Sequence, residues 1–256
     1  MDARHRFMLL VGACSLGVLA ACGAETPTSA GPTAEAGFGA RNGGSSAVRT
    51  YQVTIDNLTG GQPLTPPLVA THQRAADLFD VGSSASTGIR EIAENGNLAP
   101  LKTILEGSDH VSSVVVAVAG TPPPVMPGAG VTFTIQAEPG ARFLSFASML
   151  ICTNDGFTGL DSVRLPSQVG DSFNRDLNAY DAGTEMNTED FADMVPPCPA
   201  LTGVPSTDPG SGTSDPTIAE NDVIRMHSGV VGIADLQPGV HGFSSPVGQI
   251  TVTRVN

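Results

Sequence analysis

The chain has 256 residues and a formal net charge of −13, because 25 Asp and Glu residues outnumber 12 Lys and Arg residues. Such a surface repels nucleic acid and anionic lipid headgroups, so nucleic-acid binding can be set aside. With 40% hydrophobic and 5% aromatic residues, 30 Gly, 20 Pro and no Trp, the composition is typical of a loop-rich β protein with one core.

The N-terminus has the features of an export signal. A basic segment at residues 4–6 precedes an apolar stretch, Phe7–Val18, which is too short to span a bilayer. The sequence Leu-Ala-Ala-Cys follows at residues 19–22 and resembles the bacterial lipobox. We therefore predict a lipoprotein signal peptide over residues 1–21 and lipidation of Cys22. The alternative is an ordinary secretory peptide in which Cys22 is incidental.

Residues 22–47 consist mainly of Ala, Gly, Ser, Thr and Pro. A segment with so few large apolar side chains cannot offset its ordering entropy, so we predict a flexible tether. Residues 48–256 are then expected to form one domain, held at the membrane through the N-terminal lipid. The protein is predicted to be an exported cell-envelope lipoprotein, placed in the outer membrane if the host is Gram-negative.

Hydrophobic periodicity predicts the first elements of this domain. Alternating apolar residues predict strands at Tyr51–Leu58 and Val131–Ile135. Helical spacing predicts short helices at Ser86–Glu94 and Leu98–Leu105. Between them, the β-branched run Val111–Ala119 predicts a strand that is buried on both faces.

Four more segments complete the predicted strands: Phe143–Cys152, Asp176–Tyr180, Val223–His227 and Gln249–Val255. Short strands separated by Gly- and Pro-rich turns are typical of antiparallel sandwiches. The sequence therefore predicts a mostly β fold, an antiparallel β-sandwich with one or two short inserted helices.

Two acidic segments are the main candidates for a functional site. They are TNDGFTGLD at Thr153–Asp161 and YDAGTE at Tyr180–Glu185, and each follows a predicted strand. Ca²⁺ takes six to eight oxygen ligands from carboxylates, carbonyls and waters, and Gly-rich acidic loops supply such oxygens. By composition alone, both segments are also compatible with solvated turns.

The amino-acid sequence around these two acidic segments resembles the spondin N-terminal domain, which F-spondin and mindin share. The resemblance begins with SMLICTNDGFTGLDSVRL (Ser148–Leu165) followed by YDAGTE. Further blocks occur in the same order along the chain: YQVTIDNLT (Tyr51–Thr59), ATH (Ala70–His72), GIREIAENG (Gly88–Gly96) and GQITVTRV (Gly248–Val255). The resemblance implies a C2-like β-sandwich with its loops clustered at one end.

The resemblance also implies a divalent-cation site, with Ca²⁺ as the expected ion. Carried over by position, its ligands are Asp155, Asp181 and Glu185. Glu185 stands where the family usually has Asp, and Gly156 stands where an aromatic residue usually follows the first Asp. A further acidic position on the preceding strand falls on Gln136, with Glu138 two residues later.

The cysteines predict one disulfide bond. Cys14 leaves with the signal peptide and Cys22 is the predicted lipid attachment site, so Cys152 and Cys198 remain. Two remaining cysteines in an exported chain commonly pair, although two buried free thiols are the alternative.

No motif predicts an enzyme. The chain lacks a Gly-x-Ser-x-Gly nucleophile motif and a His-Glu-x-x-His metal motif, and its histidines are isolated in sequence. We expect a non-enzymatic domain for extracellular adhesion or matrix recognition, whose partner is an unidentified extracellular protein or glycan. The alternatives are a surface enzyme that acts on polysaccharide and a structural envelope domain without a ligand.

Overall fold

The computed structural model describes residues 47–118 and 124–256. The described residues contain ten strands. They are β1 Arg49–Asn57, β2 Leu68–His72, β3 Val111–Val116, β4 Gly130–Ala137, β5 Phe143–Met149, β6 Gly156–Arg164, β7 Ser172–Leu177, β8 Ala179–Asp181, β9 Arg225–Met226 and β10 Gly248–Arg254. They pair antiparallel in two sheets, of order β4-β1-β10-β7 and β3-β2-β5-β6-β8-β9. The predicted β-sandwich is confirmed.

The core lies between the two sheets. On β1, Tyr51, Val53 and Ile55 are buried on one face, as their alternation predicts. They belong to one apolar cluster with Leu144 and Phe146 of β5 in the other sheet. This packing fixes the strand register, because a shift by one residue would expose every core side chain.

Four α-helices lie within the described ranges: α1 Thr87–Asn95, α2 Ala99–Glu106, α3 Pro197–Thr202 and α4 Pro238–His241. Two of these helices, α1 and α2, cover the far face of the six-stranded sheet. The side chain of Ser86 caps α1 by accepting from the Ile89 amide, and Gly96 ends the helix with a positive φ of 62°. Helix α1 packs Ile89 and Ile92 into a second apolar cluster with Phe157 of β6. The two predicted helices are confirmed to within one residue.

Three predicted segments need correction. The strand expected at Val111–Ala119 is β3, which lies at a sheet edge and is half-buried throughout rather than buried on both faces. Its last predicted residue, Ala119, lies outside the described residues. The strand expected at Asp176–Tyr180 is divided between β7 and β8, which belong to different sheets.

The third correction concerns the acidic segment Thr153–Asp161. Only its first three residues lie in a loop, because β6 begins at Gly156. Four of these strands and helices were absent from the sequence prediction: β2, β6, α3 and α4. The predicted signal peptide, the lipidation site Cys22 and residues 22–46 of the predicted tether lie outside the described residues.

Strand register defines two ends of the sandwich. In the β5–β6 pair, Met149 faces Phe157 at the end that carries the acidic loops, and Phe143 faces Arg164 at the other. We call these the acidic end and the arginine end. Gln136 and Glu138 belong to the arginine end, because Ala137 between them pairs with Arg49 at the start of β1.

Candidate metal centre

Strand pairing brings the two acidic loops together. Gly156 of β6 faces Asp181 of β8, and the Ala182 amide donates to the carbonyl oxygen of Asp155 at 3.1 Å. A disulfide joins Cys152, just before Asp155, to Cys198 at the start of α3, with a Cα–Cα distance of 5.2 Å. The predicted pairing is confirmed, and it ties the first acidic loop to the segment that follows the second.

Asp155 organises the second loop through one oxygen only. Its Oδ2 accepts from the Thr184 amide at 2.7 Å, the Glu185 amide at 3.1 Å and the Thr184 hydroxyl at 3.2 Å. Its Oδ1 is fully buried and has no hydrogen-bond partner in the described part of the chain. A buried carboxylate oxygen without a donor is costly, so this atom requires an explanation.

Both carboxylate oxygens of Asp181 already accept hydrogen bonds. Its Oδ1 accepts from the Gly183 amide at 2.8 Å, and its Oδ2 accepts from the Asn187 side-chain amide at 2.7 Å. Arg225 forms an ion pair with the same Oδ2 at 3.1 Å, and also with Glu220 and Asp222. The Arg225 guanidinium is therefore shared by three carboxylates.

Glu185 lies four residues after Asp181, at the end of the second acidic segment. Its Oε1 accepts from the Asp215 amide at 3.0 Å, and its side chain is buried. It lines a cleft of about 380 Å³ together with Glu94 of α1, Asp215 and other polar residues. The Ser214 hydroxyl donates to Glu94, so that helix α1 presents a second buried carboxylate to the same cleft.

The site disfavours negative charge. Burial, and then repulsion from Asp181, raise the pKa of Asp155 to about 6, against the opposing effect of its amide donors. Burial raises the pKa of Glu185 to about 8, with repulsion from Glu94, Asp155 and Asp193 acting in the same direction and the Asp215 amide opposing it. A bound cation would relieve these unfavourable interactions.

The three predicted ligands form one buried cluster, but their oxygens do not surround one point. Among the described residues, two groups of acidic, His or Cys residues place one ligand atom each within 4.8 Å of the others, and this trio is not one of them. One group, Cys152, Cys198 and His241, has its sulfurs in the disulfide. Opposite ligands of Ca²⁺ lie about 5 Å apart. Joint binding therefore requires the carboxylates to move inward.

Two glycines are required by the geometry of these loops. A Cβ on Gly156 would lie 2.4 Å from the Thr153 hydroxyl oxygen, which accepts from the Gly156 amide. This contact explains why no aromatic residue follows Asp155. Gly183 has a φ of 70°, and a Cβ there would lie 2.7 Å from the Val223 carbonyl oxygen.

Sequence reasoning missed the partners of this cluster. Glu94 lies in a helix that was predicted from the spacing of its apolar residues, and Arg225 lies in a predicted strand. Neither position carries a local signal for the site. The neutral Gln136 and the nearby Glu138 are exposed at the arginine end, so they are remote from Asp155.

The fold is an antiparallel β-sandwich. Its disulfide bond is typical of extracellular proteins. The family model Spondin_N matches residues 62–199, which is more than half of the chain. The chain therefore belongs to the spondin N-terminal domain family. A search of curated proteins found no match.

Residues outside the matched segment complete the sandwich, because β1 pairs with β10 over seven residues. Spondin N-terminal domains are in general non-enzymatic extracellular domains. Within residues 47–118 and 124–256, no helix has the length and apolar character needed to cross a membrane.

Proposed function

We propose that this protein is an envelope-anchored extracellular domain for adhesion or matrix recognition, and that a divalent cation, Ca²⁺, binds at its acidic end. Family membership supports the extracellular setting. The proposed ligands are Asp155, Asp181 and Glu185. The lipid on Cys22 would hold the domain at the membrane, and the partner would be an extracellular protein or glycan.

The observation that carries the metal proposal is the buried, unpartnered Oδ1 of Asp155. Either a proton or a cation can satisfy such an atom. A proton would serve Asp155 alone, whereas a divalent cation would also offset its repulsion with Asp181 and Glu185. At neutral pH, a cation therefore satisfies Oδ1 of Asp155 and also reduces the repulsion among the three carboxylates, whereas a proton does only the first.

Arg225 does not remove the need for a cation. It pairs with Asp181, Glu220 and Asp222, but no described ion pair reaches Asp155 or Glu185. These two carboxyl groups are also the ones with strongly raised pKa values. Three carboxylates do not complete a Ca²⁺ shell, so backbone carbonyls or waters would supply the remaining oxygens.

Calorimetric titration of the purified full-length protein with Ca²⁺ tests this proposal. Wild type should bind one ion, and Asp155→Asn should abolish the binding. This variant keeps an acceptor oxygen for the Thr184 and Glu185 amides, so the loop can still form. Glu138→Gln removes an equal charge at the arginine end and should bind like wild type. Absence of Ca²⁺ binding by folded wild type would refute the proposal.

The recognition role is proposed as binding without catalysis. Adhesive specificity in sandwich domains lies in surface loops, and a bound ion would order two such loops here. Capture of envelope and matrix components by the full-length protein, with and without chelator, tests this role. Retention that depends on Ca²⁺ and is absent in Asp155→Asn would support it, and equal retention under all conditions would contradict it.

A further inference from the structure

Four arginines meet in one cleft at the arginine end. The cleft measures about 460 Å³ and is lined by Arg49, Arg142, Arg164 and Arg254, together with Pro139, Gly140, Leu165 and Ser167. None of the lining residues is acidic. Asp and Glu outnumber Lys and Arg by 25 to 12 in this chain, so a purely basic lining is unexpected from composition.

Strand register explains why these arginines converge although they are far apart in sequence. Arg49 begins β1 and faces Ala137, at the end of β4. Arg254 ends β10, next to the start of β1, and Arg164 ends β6 opposite Phe143. Arg142 immediately precedes β5. Both sheets thus contribute arginines to one end of the sandwich.

Among the described residues, no acidic side chain forms an ion pair with these four arginines. The ion pairs of the described residues involve Lys102 and Arg225, and none involves an arginine of this cleft. Arginine remains protonated at all physiological pH values, so the four guanidinium groups repel one another. An anionic ligand would convert this repulsion into attraction.

Two of the arginines are held in place by backbone oxygens. Nη2 of Arg49 donates to the carbonyl oxygens of Glu138 and Ala141, at 3.1 and 2.5 Å. Arg254 donates from Nε to the main-chain oxygen of Asn256 and from Nη1 to that of Ser167. These contacts fix the guanidinium groups before any ligand arrives, which lowers the entropy lost on binding.

The other two arginines keep their donors available. Arg142 and Arg164 are exposed, and their side chains make no hydrogen bond within the described ranges. Each planar guanidinium can offer two parallel N–H groups to one oxyanion. The cleft therefore combines two fixed and two free arginines.

We propose that the arginine cleft binds a phosphate or sulfate group, either as the free ion or as an ester on a polysaccharide. Tetrahedral oxyanions match the forked donors of arginine. The cleft is many times larger than the roughly 30 Å³ share of one water molecule, so it has room for a sugar attached to the anion. This site is separate from the acidic end and does not depend on Ca²⁺.

The charge of the rest of the molecule makes the proposal easy to test. A net charge of −13 repels polyanions over most of the surface, so attraction should be confined to the arginine end. Calorimetry with full-length protein at fixed ionic strength would use inorganic phosphate, inorganic sulfate and dextran sulfate as probes. Uncharged dextran is the control ligand.

The decisive variant is Arg142→Gln/Arg164→Gln, which removes the two exposed guanidinium groups. Loss of charge-assisted hydrogen bonds should weaken binding by about tenfold per arginine. The matched control is Arg90→Gln/Arg175→Gln, which changes net charge equally at two exposed arginines elsewhere and should stay within about twofold of wild type. Arg142→Lys/Arg164→Lys keeps the charge and should bind with intermediate affinity.

The outcomes distinguish the sources of the anion. Binding of the inorganic ions that is lost in the Gln pair supports a site for the free anion. Binding of dextran sulfate alone, lost in the same variant, supports an ester on a polymer. The proposal is overturned if wild type binds no probe, if the Gln pair binds as tightly as wild type, or if the control pair loses as much affinity.

Discussion

In the absence of divalent cations, the buried charge of Glu185 should make the protein less stable as the pH rises. The pKa of Glu185 is about 8 in the folded state, against an ordinary value of 4.5. The folded state therefore holds this proton more tightly than the unfolded state, and its stabilising effect is lost as the pH rises toward 8. Glu185→Gln should remove this dependence, because the amide carries no charge at any pH.

The magnitude follows from linkage. Between pH 6 and pH 8, a shift from 4.5 to about 8 lowers the free energy of unfolding by about 2 kcal/mol, and screening by solvent in the adjoining cleft reduces this value. Asp155, with a folded pKa of about 6, contributes mainly below this range. Subtracting the variant from wild type removes the contributions of the other titrating groups.

Urea unfolding in chelator at pH 6, 7 and 8 provides the measurement. Wild type should lose stability across this range, and Glu185→Gln should lose about 2 kcal/mol less. Glu138→Gln, which neutralises an exposed carboxyl at the arginine end, should keep the wild-type slope. Parallel curves for wild type and Glu185→Gln would show that the buried carboxyl is not protonated, and would refute the reasoning.

Three further predictions concern the loops and the anchor. Replacing both Cys152 and Cys198 by Ser should lower the free energy of unfolding by about 4 kcal/mol, from the entropy of the freed loop, in denaturant unfolding; an unchanged midpoint would contradict this. Gly183→Ala should lower the melting temperature more than Gly170→Ala, because both have a positive φ but a Cβ meets backbone only at Gly183; equal losses would argue against the clash. Cys22→Ala should leave the protein unprocessed or release it from the membrane fraction, and fractionation and gel migration both identical to wild type would exclude lipidation.

Local signals in the sequence predicted the local elements well. Helix α1 has a capping Ser86, apolar residues at helical spacing and a terminal Gly96, so its bounds follow from its own residues. The two-sheet arrangement also follows from strands in which apolar and polar residues alternate. The Cys152–Cys198 disulfide follows from the position of these cysteines in a chain with an export signal.

Features that depend on long-range pairing were not predictable in this way. The break between β7 and β8 arises because one pairs with β10 and the other with β6, which no local pattern reveals. Glu94 joins the acidic cluster only after α1 packs on the six-stranded sheet. Likewise, the arginine cleft gathers residues from four separate strand ends, so spacing along the chain gives no sign of it.

The most direct test of the central claim compares thermal unfolding of full-length wild type in chelator and in Ca²⁺. Ca²⁺ at 100 times its dissociation constant stabilises the folded state by about 2.7 kcal/mol, which corresponds to a rise in Tm of about 5–10 °C for a domain of this size. We expect this rise in wild type and its loss in Asp155→Asn. Superimposable wild-type curves in chelator and in millimolar Ca²⁺ would contradict it.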